Sequence, residues 1–254
     1  MPSANDNNKR RFLAYGVAIR TRLDLSRYLP SPGQGLKTLT VVEVRAGFTE
    51  PDLAHSRQLY QSHGRELSIS SDGEFAAHLK GQSWCFTVKD VARFHWRGGG
   101  STILFEYLAD GNEDLLAFWL IHIFLPLWLT LEGTYEFFHA CSVEINGTPV
   151  LFIAPSMGGK STLTDYFLRR GHGLVSDDKV GIVEEQGKFL AIPSHPNHRP
   201  YRRFEDLGKR VDWFCRERAV IGAVYSLRRI GPDEDVQITE VVGHRKFAGM
   251  RPSY

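Results

Sequence analysis

Hydrophobic and polar positions alternate differently in the two parts of the chain. Up to about residue 110, short runs at residues 38–45, 66–70, 84–88, 92–96 and 101–108 are alternating or rich in β-branched side chains, which predicts strands. Pro30-Ser31-Pro32-Gly33, Ser71-Asp72-Gly73 and Gly98-Gly99-Gly100 punctuate them, and Arg97 to Ser101 reads as a hairpin turn. Residues 115–131, LLAFWLIHIFLPLWLTL, carry no formal charge. That run sits at the lower limit for spanning a bilayer, with His122 and Pro126 in its middle. Acidic Glu113, Asp114 and Glu132 flank it without Lys or Arg anchors, and Gly133 lies just beyond, so a buried core helix is expected. Further on, the apolar run 150–154 predicts a buried strand. A helix is expected over 162–170, then a Gly171-His172-Gly173 turn, a strand over 174–176 and another over 220–228. The pattern predicts a β-rich domain over residues 1–111 and an α/β domain over 112–254, with the apolar helix bridging them.

The junction of strand and helix carries the chemistry. Residues 150–162 read VLFIAPSMGGKST: a small residue, four spacers, then Gly159, Lys160 and Ser161. Such a loop turns backbone N–H groups inward to cradle phosphate oxygens, and the following helix adds its positive end. The nucleotide-binding set is Ser156, Met157, Gly158, Gly159, Lys160, Ser161 and Thr162. Lys160 would neutralise the β and γ phosphates, and Ser161 would ligate Mg²⁺. Ala154 stands where the usual motif has its first glycine, and alanine is poor at the positive φ that glycine tolerates. Asp177-Asp178 closes the strand after the helix, where paired carboxylates can divide metal binding and proton abstraction. ATP and Mg²⁺ are therefore the expected cofactors.

The run FIAPSMGGKSTLTDYFLRRGHGLVSDDKV resembles the HPr kinase/phosphorylase superfamily, whose phosphate loop is followed by a helix, an RGH-x-LV turn and strand, and a DD pair. Upstream, FHACSV at 138–143 is similar to that superfamily's strand before the loop. The likeness is specific over residues 136–183 and weaker to the C-terminus. The start, Tyr15 to Arg20, resembles the HPr-kinase-related group that includes lasso peptide kinases. The resemblance implies an α/β P-loop kinase core behind a β-rich N-terminal domain, with serine hydroxyls as phosphate acceptors. It implies Asp177 as base, His139 tuning it, Lys160 on the phosphates, and Asp178 with Ser161 at the metal. Arg199, Arg202 and Arg203 are expected near the transferred phosphoryl group or an acidic substrate. The superfamily's E-I-R-G-x-G run, tied to phosphorylase chemistry, has no match, so kinase activity is the inheritance expected. Ala154 and Met157 also replace two loop glycines of the superfamily.

Composition narrows the partners. The 254 residues are 42% hydrophobic and 24% charged, which is ordinary for a soluble globule with ample core. A net charge of +2, with basic pairs scattered, makes no case for nucleic acid. Cys85, Cys141 and Cys215 are widely spaced and odd in number; no disulfide framework or zinc pattern follows from that spacing. His195-x-x-His198 is a thin metal signal. The basic, polar start does not read as a signal peptide. A cytoplasmic kinase of a peptide or small protein is the leading expectation, a lasso-type precursor peptide its best substrate and homo-oligomerisation left open. A small-molecule kinase, an HPr-type kinase/phosphorylase and a non-catalytic nucleotide-binding regulator are the alternatives. The β-rich domain is the expected substrate-recognition module.

Overall fold

The structure, a computed structural model, describes residues 9–44, 48–62, 64–75, 80–200, 205–231 and 233–250. It is a sheet-rich α/β chain in two compact units: Met1–Thr134 with Arg203–Leu207, and Tyr135–Arg202 with Gly208–Tyr254.

Among the described residues the first unit carries one eight-stranded sheet and one long helix. The strands are β1 (Arg10–Ala14), β2 (Val17–Thr21), β3 (Thr38–Glu43), β4 (His55–Ser62), β5 (Arg65–Ser71), β6 (Ser83–Val88), β7 (Ala92–Arg97) and β8 (Thr102–Tyr107). They lie in the order β1-β2-β3-β8-β7-β6-β5-β4. The β2–β3 and β3–β8 pairs are parallel and the rest antiparallel. The expected glycine hairpin is present between β7 and β8, where Gly99 takes φ +79 and the Gly100 N–H donates to the Arg97 carbonyl. Three strands escaped the hydrophobic pattern. β1 and β2 form a hairpin through Tyr15 and Gly16, both at positive φ, as a two-residue turn matched to strand twist requires. β4 is an edge strand of mostly exposed polar residues, so it shows no alternation.

The helix α1 (Glu113–Leu131) is long and apolar enough to cross a membrane by length and composition. Most of its apolar side chains are buried, and Phe124 stacks on Phe94 at 4.5 Å between ring centroids while also meeting Phe86 and Trp96. Asn112 caps its first turn through the Leu115 N–H. The middle, Trp119–Phe124, is wound as a π-helix, with the Leu125 N–H reaching back to the Leu120 carbonyl. Pro126 explains this: it lacks an N–H and its ring clashes with the carbonyl four residues back, and the wider turn relieves both. Because α1 buries itself on β6 and β7, the units divide at Thr134/Tyr135. The boundary expected at 111/112 is thus moved, and α1 belongs to the first unit instead of bridging the two.

In the second unit, β9 (Glu136–Phe138), β10 (Ala140–Ile145), β11 (Thr148–Ile153), α2 (Lys160–Leu168), β12 (Gly173–Ser176), β13 (Val180–Glu185), β14 (Lys188–Ile192), β15 (Asn197–His198), β16 (Lys209–Arg210), β17 (Ala219–Val220), β18 (Ala223–Ser226) and α3 (Arg245–Met250) follow in order. They form sheets β12-β10-β11-β18 and β17-β14-β13-β9, with β15 paired to β16. β11 begins at Thr148 and takes in Pro149, two residues earlier than the apolar run suggests. Ala140, Leu151, Ile153, Val175, Val180 and Ala191 make a buried core, while Phe152 stacks on Phe167 of α2 at 5.6 Å. Burial on both faces explains why β11 reads as an unbroken apolar run. β11 and β12 run parallel on either side of β10, which is antiparallel to both, so α2 crosses over one strand.

Candidate functional site

The loop between β11 and α2 bends by means of two left-handed residues, Met157 at φ 65 and Gly159 at φ 91. Ala154 is not among the left-handed residues, so no glycine is needed there for conformation. It does constrain Gly158: a Cβ at Gly158 would meet the Ala154 Cβ at 2.6 Å and the Pro155 carbonyl at 2.8 Å. Pro155, Ser156 and Met157 are exposed, Gly158, Gly159 and Ser161 half-buried, and Thr162 exposed. The Arg229 guanidinium donates to the Met157 carbonyl at 2.9 Å.

Lys160 opens α2 and is 4% exposed. Its Nζ donates to the Ala154 carbonyl at 2.8 Å and lies 3.1 Å from His139 Nε2. His139, in the break between β9 and β10, puts its other nitrogen 3.3 Å from Asp178 Oδ1. An ammonium on Nε2 fixes the lone pair there, so Nδ1 carries the hydrogen and donates to the carboxylate. Lys160, His139 and Asp178 thus form one line drawn from three elements.

Asp177 stands apart from that line. His139 was expected to face Asp177; the aspartate within ion-pair distance of its Nδ1 is Asp178. The peptide flips side chains across the end of β12, sending Asp177 inward. Asp177 Oδ1 is 2.8 Å from His198 Nδ1, and Oδ2 accepts the Arg199 N–H at 2.8 Å. Both Asp177 and His198 are 4% exposed in their side chains. Burial pushes the Asp177 carboxyl up, but the His198 ring and the Arg199 N–H outweigh it and hold the group below the usual range. Asp178 is more open, with 13% of its side chain exposed and Arg199 Nη2 at 3.8 Å from Oδ2.

The Pro-containing segment 193–199 is buried throughout and brings His195, His198 and Arg199 to the aspartates. Gly208 holds it close: a Cβ there would strike the His198 carbonyl at 2.4 Å. Desolvation, aided by the Arg199 charge, lowers the His195 ring to about 4. Desolvation also lowers Lys179 to about 8 despite the raising effect of Asp178. Arg199 is therefore a buried neighbour of Asp178; Arg202 and Arg203 lie outside the described residues. His198 and Lys179 were not foreseen as site residues. His195-x-x-His198 was the one trace of His198 in sequence; its Nδ1 lies against Asp177, while Nε2 is buried without a hydrogen-bond partner among the described residues.

No family model matches the chain. HPr kinase/phosphorylase of Chlorobium limicola is 30% identical over 134 residues, covering 51% of this chain and 36% of that protein. HPr kinase/phosphorylase of Chlorobium chlorochromatii is 26% identical over 114 residues, covering 43% and 31%. The chain thus spans about a third of the length of these curated relatives. Among solved structures, the Hpr(Ser) kinase/phosphatase of Coxiella burnetii is 30% identical over 22% of this chain and 37% of that one, with a TM-score of 0.21.

Proposed function

We propose, with membership of the HPr kinase-like superfamily as the premise, that the chain is an ATP-dependent kinase that phosphorylates a serine hydroxyl on a peptide or small protein. The observation that carries this reading is the line Lys160–His139–Asp178 at the mouth of a glycine-containing strand–helix loop. The residues present suit a nucleotide. Gly158 leaves a cradle that a Cβ would fill, and Lys160 is held on loop carbonyls, ready to exchange them for phosphate oxygens. Ser161, half-buried at the start of α2, would hold Mg²⁺, which neutralises charge on the phosphates when bound.

The proposed base is Asp178 in place of Asp177, and Asp177 is given a positioning role instead of the metal-side one. Asp178 is the base: its carboxylate removes the proton of the acceptor hydroxyl. The oxygen attacks the γ-phosphorus, and the bond to the nucleoside diphosphate breaks. His139, donating to Asp178, fixes the direction of that carboxylate while Lys160 and Arg199 offset charge on the phosphoryl group. Asp177 orients the segment carrying His198 and Arg199. Within the acceptor class, a lasso-type precursor peptide is the substrate to test first, on the likeness of residues 15–20. The first unit is its recognition module, since the residues proposed for nucleotide handling all lie in the second.

The test is mass spectrometry of precursor peptide, HPr and free serine incubated with ATP and Mg²⁺. A gain of one phosphate on peptide serine, lost in Lys160→Ala, is expected. Phosphorylation of free serine alone would transfer the reading to a small-molecule kinase. Surface substitutions in the first unit should raise the peptide KM and spare ATP hydrolysis.

A further inference from the structure

β6 and β7 present two faces, and α1 covers only one. Phe86, Phe94 and Trp96 meet Phe124 of α1, so the alternate residues Cys85 and His95 point to the opposite face. They are direct cross-strand partners there. Both are nevertheless buried, at 3% and 4% exposure, and Phe48 packs on the His95 ring at 5.1 Å. The same segment carries Glu50. One ligand atom each from Glu50, Cys85 and His95 lies within 4.8 Å of the other two.

The histidine is prepared in a particular way. Its Nε2 lies 3.3 Å from Glu106 Oε1, while Nδ1 is buried without a hydrogen-bond partner among the described residues. A carboxylate behind one imidazole nitrogen is how metal-binding histidines are oriented, leaving the other lone pair outward for the ion. A buried acceptor facing a thiol and a carboxylate lacks what a cation would supply. The surrounding polar contacts are Thr87 Oγ1 at 3.6 Å from Cys85 Sγ, and Arg93 at 3.7 Å from Glu50 and 3.2 Å from Glu106.

We propose that Glu50, Cys85 and His95 form a divalent-cation site of the zinc class on the face of the first sheet away from α1. Sulfur and imidazole ligands select Zn²⁺ over Mg²⁺, so this site is distinct from the one holding magnesium in the kinase reaction. Thiolate, imidazole and carboxylate fill three tetrahedral positions and water the fourth. The Cys85 proton leaves to solvent on binding, and no change of oxidation state is involved. Ligand atoms at about 2.0–2.3 Å from a shared ion would draw closer to one another than their present spacing.

Co²⁺ titrated into chelator-treated full-length protein reports the site directly. A thiolate-to-cobalt charge-transfer band saturating at one equivalent, displaced by Zn²⁺ and absent in Cys85→Ser, is expected. The absence of a thiolate band in wild-type protein would overturn the proposal. So would a band that survives Cys85→Ser, which would then belong to Cys141 or Cys215. Should Cys85→Ser not fold, Glu50→Gln decides, since Glu50 lies on the exposed rim. A weakening of cobalt affinity by about tenfold or more supports the three-residue site, and unchanged affinity refutes it.

Discussion

Asp177 and Asp178 are neighbours in sequence but differ in what surrounds each carboxylate. Asp177 has both oxygens engaged by buried partners, whereas Asp178, with 13% of its side chain exposed, has His139 beside Oδ1 and Arg199 beside Oδ2. Asp178→Asn should therefore lower kcat by about 10²–10⁴-fold while leaving nucleotide affinity nearly unchanged, as loss of a general base does. Asp177→Asn should instead cost stability, about 1–3 kcal/mol, by removing a buried charged acceptor from His198. Urea midpoints and steady-state kinetics on both variants separate the roles; a kinetic loss confined to Asp177→Asn would restore the original assignment. Gly158 gives a second residue-scale prediction. Gly158→Ala should weaken nucleotide binding by forcing the loop off Ala154, and Ala154→Gly added to it should recover part of that affinity, because one of the two close contacts disappears. Isothermal titration of the single and double variants with ATP checks this.

At the scale of elements, α1 is the anchor of the first unit. Phe124 is fully buried against three aromatic rings, so Phe124→Ala should destabilise that unit by about 3–5 kcal/mol in a denaturant titration. The helix was legible from its composition because burial all round leaves an apolar run; its π-wound middle was not, since nothing but Pro126 signals it. Strands β6 and β7 were legible because Phe86, Phe94 and Trp96 pack on Phe124 of α1 while Thr87 and Arg93 are only half-buried, which leaves alternation in the sequence. β4 was not, being an edge strand with little burial on either side. The strand–loop–helix turn was legible from its small residues, because Met157 and Gly159 take left-handed φ and Gly158 has no room for a Cβ. The place of His198 beside Asp177 was not, since it arrives by a long-range return that leaves no periodic trace. The cluster of Glu50, Cys85 and His95 was hidden for the same reason: strand register, which linear spacing does not show, brings it together.

For the molecule as a whole, burial of His195 ties stability to pH. Its folded-state value, lowered by desolvation to about 4, lies below the 6.5 of an exposed ring. Between these values the unfolded chain binds the proton and the folded chain does not, so stability is full above pH 6.5, falls as pH drops toward 4, and levels off below it. The loss is on the order of 3 kcal/mol for this one group. Urea unfolding of wild-type and His195→Gln protein across that window should show a slope that the variant lacks. The order of strands has another consequence, in the time taken to build the site. β10 and β11 close locally through Asn146 and Gly147, both at positive φ, and such a hairpin forms within about 1–10 μs. β12 must then cross over to the far edge of β10, and β18 reaches the outer edge of β11 from more than seventy residues downstream. Until both arrive the hairpin has two open edges, and Asp178 has not met His139. The second unit is thus expected to gain its proposed catalytic line late in folding. Pulse-labelled amide exchange should find β10 and β11 protected before β12 and β18, with a newly made chain exposed to edge-to-edge association during the interval.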